Sequence, residues 1–185
     1  GVRLTVDAGG LDLSDVDAGD SIAIQGACMT AIGIDGGRFS VDVSKESLSK
    51  TAGLDRPGEV NLEKAMRLDD RIGGHLVSGH VDGLGEVVSF EPVGESWRLV
   101  LRAPSGLAKY FAYKGSVTVN GVSLTVNRVA DVFDGAEFEI NLIPHTIAMT
   151  TLKSLKAGVR VNLEVDLIAR YVERMLGTPG GAGAA

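Results

Sequence analysis

The chain has 185 residues, 44% of them hydrophobic, with one cysteine and a net charge of −6. That length suits one large or two small domains with real cores. The acidic balance speaks against a nucleic-acid or anionic-membrane partner. A single cysteine excludes an internal disulfide and fits a reducing, cytoplasmic setting. No apolar run approaches the roughly 18 residues of a membrane span.

The first strand signal is Arg3-Leu4-Thr5-Val6. Ser21 to Thr30 then reads as a strand, a tight Gln25-Gly26 turn and a second strand, with Cys28 and Thr30 facing the same way. Phe39 to Val43 alternates as a further strand, and Asn61-Leu62-Glu63 closes the series. The same series then returns. Ser21, Gly26 and Thr30 recur 95 residues later as Ser116, Gly121 and Thr125, and Arg3-Leu4 recurs as Arg98-Leu99. Phe39 recurs as Phe138 at an offset of 99, and Asn61-Leu62-Glu63 as Asn162-Leu163-Glu164 at 101. Two copies of a short-stranded, glycine-punctuated unit predict an all-β chain of two tandem, similar, six-stranded Greek-key barrels.

The second copy opens with a strand signal, Gly79 to Val88, for which nothing before Arg3 supplies a counterpart. About one strand of the first copy is therefore expected to be missing, leaving an unpaired edge. No signal-peptide pattern is visible in a chain that starts in mid-pattern at Gly1. The expected organisation is a first barrel over 1–74, a second over 75–165, a helix over 166–176 and a disordered tail over 177–185. The helix follows from Ile168, Tyr171, Val172, Met175 and Leu176 at helical spacing, with Asp166 in the N-cap position and a Gly/Ala-rich stretch beyond.

Few residues carry chemistry by type alone. Cys28 reads either as a small buried hydrophobe or as half of a pair of polar pocket positions with Ser123. Ser123 and Thr125 fit local strand hydrogen bonds as well. Asp166 fits helix capping and a division of labour between the copies equally, because its counterpart is Ala65. His75 and His80, five apart on an expected strand, face opposite sides, and His145 has no ligand-type neighbour at a suitable spacing. No metal site is predicted. The glycines from Gly79 to Gly85 precede no helix, so they do not form a phosphate loop.

In Gly26-Ala27-Cys28-Met29-Thr30, Asn61 to Ala65, Gly73 to Gly83, Lys114 to Thr125 and Leu142-Ile143-Pro144-His145-Thr146, the chain resembles the riboflavin synthase family of trimeric, two-barrel enzymes, over Arg3 to Leu176. The family's chain opens with a Met-Phe-Thr-Gly-Ile strand that has no match here. The resemblance implies that two 6,7-dimethyl-8-ribityllumazine molecules exchange a four-carbon unit, giving riboflavin and 5-amino-6-ribitylaminouracil, a transferase reaction with no cofactor or metal. It implies a first pocket of Cys28, Met29 and Thr30, flanked by Val43, Ser44, Lys45, Glu46, Ser47 and Leu48. It implies a second pocket of Lys114, Ser123, Leu124 and Thr125 with Leu142, Ile143, Pro144, His145, Thr146 and Ile147, bordered by Gly79, His80 and Val81. Cys28 and Asp166 are then the residues most involved in chemistry, assisted by His80, Ser123 and Thr125. Whether Cys28 works as thiolate or as hydrogen-bond donor stays open. The partners implied are lumazine, riboflavin and two further copies of the chain; an association with lumazine synthase is not read from the residues. The alternative is a non-catalytic antenna protein on the same scaffold. A flavin reductase barrel lacks its Arg-x-Tyr-Ser/Thr signature here.

Overall fold

A computed structural model describes residues 1–177. The first copy comprises β1 (Val2–Asp7), β2 (Ser21–Ile24), β3 (Ala27–Asp35), β4 (Arg38–Val43), α1 (Lys45–Lys50) and β5 (Leu62–Lys64). The second comprises β6 (Gly83–Val93), β7 (Ser96–Pro104), α2 (Ser105–Ala108), β8 (Ser116–Val119), β9 (Val122–Val132), β10 (Gly135–Leu142) and α3 (Pro144–Met149). A 3-10 turn (Thr151–Ser154), β11 (Arg160–Val165) and α4 (Leu167–Leu176) complete it. The tail expected to be disordered lies, from residue 178 on, outside the described residues.

Alternation in sequence becomes alternation in burial. Along β4, Phe39, Val41 and Val43 are buried while Arg38 and Asp42 are exposed, because successive strand side chains point to opposite faces. Each copy gathers its inward face into a separate core, one around Ile22, Phe39 and Val41 and the other around Leu99, Leu101 and Phe138. The β2–β3 and β8–β9 connections turn at Gln25-Gly26 and Asn120-Gly121, all four residues having positive φ. This is the geometry that a two-residue hairpin on twisted strands requires. Register shifts recur at equivalent places too, between Ala31 and Gly33 on β3 and around Asn127 opposite Glu139 and Ile140.

The copies differ in closure. The second is a closed barrel of order β10-β7-β6-β11-β8-β9, in which β6 joins β7 to β11. The first is a five-stranded sheet of order β1-β4-β3-β2-β5. Its β1 and β5, the counterparts of β7 and β11, have no strand between them. The second-copy strand expected to start at Gly79 starts at Gly83; residues 75–82 form no ladder, with a bend at His75 and Gly79 at φ +75°. His75 and His80 therefore do not alternate across a strand.

The copies meet around an approximate twofold axis between their hairpins. Asn61 Nδ2 donates to Asn120 O at 2.8 Å, and its repeat counterpart Asn162 Nδ2 donates to Gln25 O at 2.9 Å. Thr151 N donates to Asn61 Oδ1, and Ala52 N, its counterpart, to Asn162 Oδ1. Gln25 Oε1 accepts from Asn61 N, as Asn120 Oδ1 accepts from Asn162 N. At the axis, Gly26 and Gly121 pack backbone to backbone: a Cβ on Gly26 would lie 2.6 Å from Gly121 N.

Candidate active site

On β3 the side chains alternate so that Ala27, Met29 and Ala31 enter the core while Cys28 and Thr30 face out. Cys28 is exposed, so the buried-packing reading of this residue does not hold. Its backbone N donates to Gly79 O at 2.7 Å rather than to a neighbouring strand. With Ala27, Met29, Gly79 and Val81 it lines a cavity of about 230 Å³, whose other wall is Glu46, Ser47 and Lys50 of α1 and its C-cap Thr51. Helix α1 is fixed by Ser44, whose Oγ accepts from Ser47 N at 2.9 Å. Glu46 and Lys50 pair at 2.6 Å, which puts both signs of charge on the cavity rim.

Along the β1 and β5 edges, where the first copy has no counterpart of β6 among the described residues, an open cleft of about 1500 Å³ reaches the second copy at His75, Gly121, Val122 and Ser123. Here His75 Nδ1 lies 2.8 Å from Ser123 Oγ and its Nε2 lies 3.2 Å from Thr118 Oγ1. Gly74 packs so closely on Ser123 that any side chain there would meet the hydroxyl. Burial lowers the His75 pKa below its ordinary 6.5, and the charges of Asp166 and Glu164 act in the opposite direction. Asp166 itself caps α4, accepting from Ile168 N at 2.9 Å. His75 thus bonds Ser123 and Thr118 and lies close enough to Asp166 to feel its charge.

The remaining expected positions divide by the face they occupy. Val43 and Leu142 point into the cores, and Leu124 packs on the second core. Lys114 Nζ donates to Asn127 Oδ1 at 3.2 Å, while its backbone N donates to Val126 O. His145 and Thr125 are exposed, and Thr146 and Ile147 lie half-buried on α3. That element contributes Ala148 and Met149 to the cleft instead. His80 is exposed and lines neither cavity. Gly79 and Val81 were grouped with the second pocket; they border Cys28 in the first, because residues 78–82 cross from β11 to the outer side of β3. Cys28 and Ser123 line separate cavities. His75, Lys50 and Thr51 were not chosen from the sequence; the Gly-Gly before His75 was the signal for the first. Among the described residues no cluster of His, Cys, Asp and Glu could hold a metal ion.

Comparison with known proteins accounts for both copies. The lumazine binding domain family matches residues 1–65 and 78–166. A riboflavin synthase of Photobacterium phosphoreum is 47% identical over 94% of this chain and 79% of its own length. One of Mycobacterium tuberculosis (strain ATCC 25618 / H37Rv) is 46% identical over 96% of this chain and 89% of its own. The fold is shared with LumP: its riboflavin complex superposes with a TM-score of 0.75 at 22% identity, covering 88% of this chain and 87% of that one. Its complex with 6,7-dimethyl-8-(1'-D-ribityl) lumazine gives 0.70, covering 83% and 81%. With the family model spanning both repeats and such identity over nearly the whole chain, the protein belongs to the lumazine-binding family of riboflavin synthases.

Proposed function

We propose that the chain catalyses the riboflavin synthase reaction, passing a four-carbon unit between two 6,7-dimethyl-8-ribityllumazine molecules. The observation that carries this is the doubled lumazine-binding repeat, at 46–47% identity to riboflavin synthases. The chemistry fits a doubled scaffold. The electron-poor ring acidifies the C7 methyl, so a modest base suffices, and the greater task is to hold two identical rings in register. Two equivalent hairpins, each with a small polar side chain at the same position, supply one site per molecule. Cys28 serves the first ring. Ser123, held by His75 in the field of Asp166, serves the second.

The helix supports a homotrimer. Helix α4 docks on its own barrel through polar groups: Glu173 pairs with Lys109 and accepts from Tyr110 Oη at 3.2 Å, and Arg170 pairs with Asp82. Its apolar stripe of Ile168, Tyr171, Val172, Met175 and Leu176 faces away, each residue at least 47% exposed. A surface of this kind is stabilised by burial against other subunits. The unpaired Cys28 is in keeping with a reducing, cytoplasmic location.

The deciding experiment is to add the lumazine and follow riboflavin fluorescence. Turnover is expected; tight binding without turnover would replace the proposal with a non-catalytic lumazine- or flavin-binding role.

A further inference from the structure

Glu164, on β11 of the second barrel, is 3% exposed. Its Oε1 accepts two hydrogen bonds from Ser78, from the backbone N at 2.7 Å and from Oγ at 2.7 Å. Its Oε2 is fully buried and has no partner among the described residues. A half-satisfied buried carboxylate is a poor device for stability alone, since an apolar side chain of similar size commonly serves as well or better. Its position accounts for it. Ser78 begins a strap whose far end, Asp82, is tied to the same strand: Asp82 N donates to Leu163 O, and Val165 N donates to Asp82 Oδ2, both at 2.8 Å. Between these two anchors the strap leaves the second barrel and closes over the first. Gly79, at φ +75°, accepts from Cys28 N at 2.7 Å, and its Cα packs so tightly that a Cβ would lie 2.8 Å from Cys28 Cβ. Val81 packs against the first core and lines the Cys28 cavity.

We infer that Glu164 is a positioning residue for the Cys28 pocket, acting across the domain boundary through Ser78 and Gly79. The second barrel sets the wall of the first barrel's substrate cavity, so the two halves are coupled within one chain. This rests on reading Cys28 as a substrate-pocket residue, but the coupling is readable without turnover.

The test is amide hydrogen exchange at Cys28, whose N–H has Gly79 O as acceptor, with Ala31 on the same strand as control, its N–H bonded to Asp20 O. In Glu164→Leu the Cys28 amide should exchange about tenfold faster while Ala31 is unchanged, the size expected for losing the hydrogen bonds of one charged group. Glu164→Gln keeps an acceptor for Ser78 and should stay within about twofold of the parent. In a turnover assay, Glu164→Leu should raise KM about fivefold with kcat changed less than about twofold. Unaltered Cys28 exchange in folded Glu164→Leu overturns the inference. So does equal acceleration at Cys28 and Ala31, which marks general destabilisation. Should Glu164→Leu fail to fold, Ser78→Ala, at an exposed residue that loses only the Oγ bond, carries the test with an expected rise of about threefold; no rise overturns it. A chain with no turnover but the predicted exchange pattern would refute the enzymatic reading and leave the positioning role standing.

Discussion

The two copies are built from one pattern and reach different ends. Both fold the same hairpin, place an asparagine at the last strand on the other copy's turn (Asn61 just before β5, Asn162 within β11), and bury an alternating inner face. Among the described residues the second closes through β6, between β7 and β11, and the first has no counterpart of β6. Only the second is followed by a helix. At the equivalent pocket position one copy has an exposed thiol beside a charged helix, and the other a hydroxyl held by a histidine. Symmetry therefore resides in the axis, where it joins the halves. Asymmetry resides in the pockets, where two identical substrates must play different parts.

The sharpest way to break the comparison is at the axis. Gly26→Ala drives a Cβ into Gly121 backbone at positive φ, whereas Gly36→Ala, also at positive φ, meets nothing within 4 Å. Backbone strain of about 1–3 kcal/mol applies to both, and overpacking adds about 1–3 kcal/mol at Gly26 alone. Urea unfolding should therefore show Gly26→Ala roughly 2 kcal/mol less stable than Gly36→Ala. Equal midpoints would mean that the hairpins do not hold the halves together.

A second contrast lies in the paired asparagines. Asn162 is 1% exposed and serves Gln25 O, Ala52 N and Ala52 O. Asn61 is half-buried and serves Asn120 O and Thr151 N. Truncating Asn162 to Ala strands more buried groups, so it should cost about 3 kcal/mol against about 2 kcal/mol for Asn61→Ala. Thermal or chemical denaturation reads the order, and a reversal would put the weight of the interface on the first copy's asparagine.

Most of this framework was legible in the sequence because it is local. Hairpin turns need Gln-Gly or Asn-Gly, strands need alternation, and a repeat doubles every signal. The capped helix and its exposed stripe were legible for the same reason. What was not legible depends on long-range placement. The all-buried run Val161 to Val165 contains Asn162 and Glu164, which strand alternation alone would turn outward and which the other copy and the strap cover. Residues 75–82 read as a strand yet pair with no ladder, since Ser78 bonds Glu164 in one barrel while Gly79 bonds Cys28 in the other. That same crossing moves Gly79 and Val81 from the second pocket to the first.

The pockets supply the next contrast. Cys28→Ser replaces an exposed thiol with a weaker acid, so the melting temperature should stay within about 1 °C while turnover falls at least about tenfold. A fall in stability with unchanged activity per folded molecule would return Cys28 to a packing role. The smallest effect concerns His75. Its folded pKa is lowered, so its neutral form is favoured in the native state. Its contribution to stability is full above the unfolded value near 6.5 and is lost as pH falls through the lower folded value. His75→Gln should flatten the decline in stability below about pH 6.5. An identical profile for both proteins would show that other groups set the acid limb.

The proposed function pairs unlike pockets, one from each copy, and we propose that in the trimer the two come from neighbouring chains. Mixing Cys28→Ala chains with Ser123→Ala/Asp166→Ala chains tests it most directly. Each variant should be weak alone, but a mixed trimer would contain an interface with an intact first pocket and an intact second pocket. The account predicts that riboflavin formation partly recovers on subunit exchange. No gain after exchange has been verified by mass spectrometry would contradict it and place both pockets of the reactive pair within one chain.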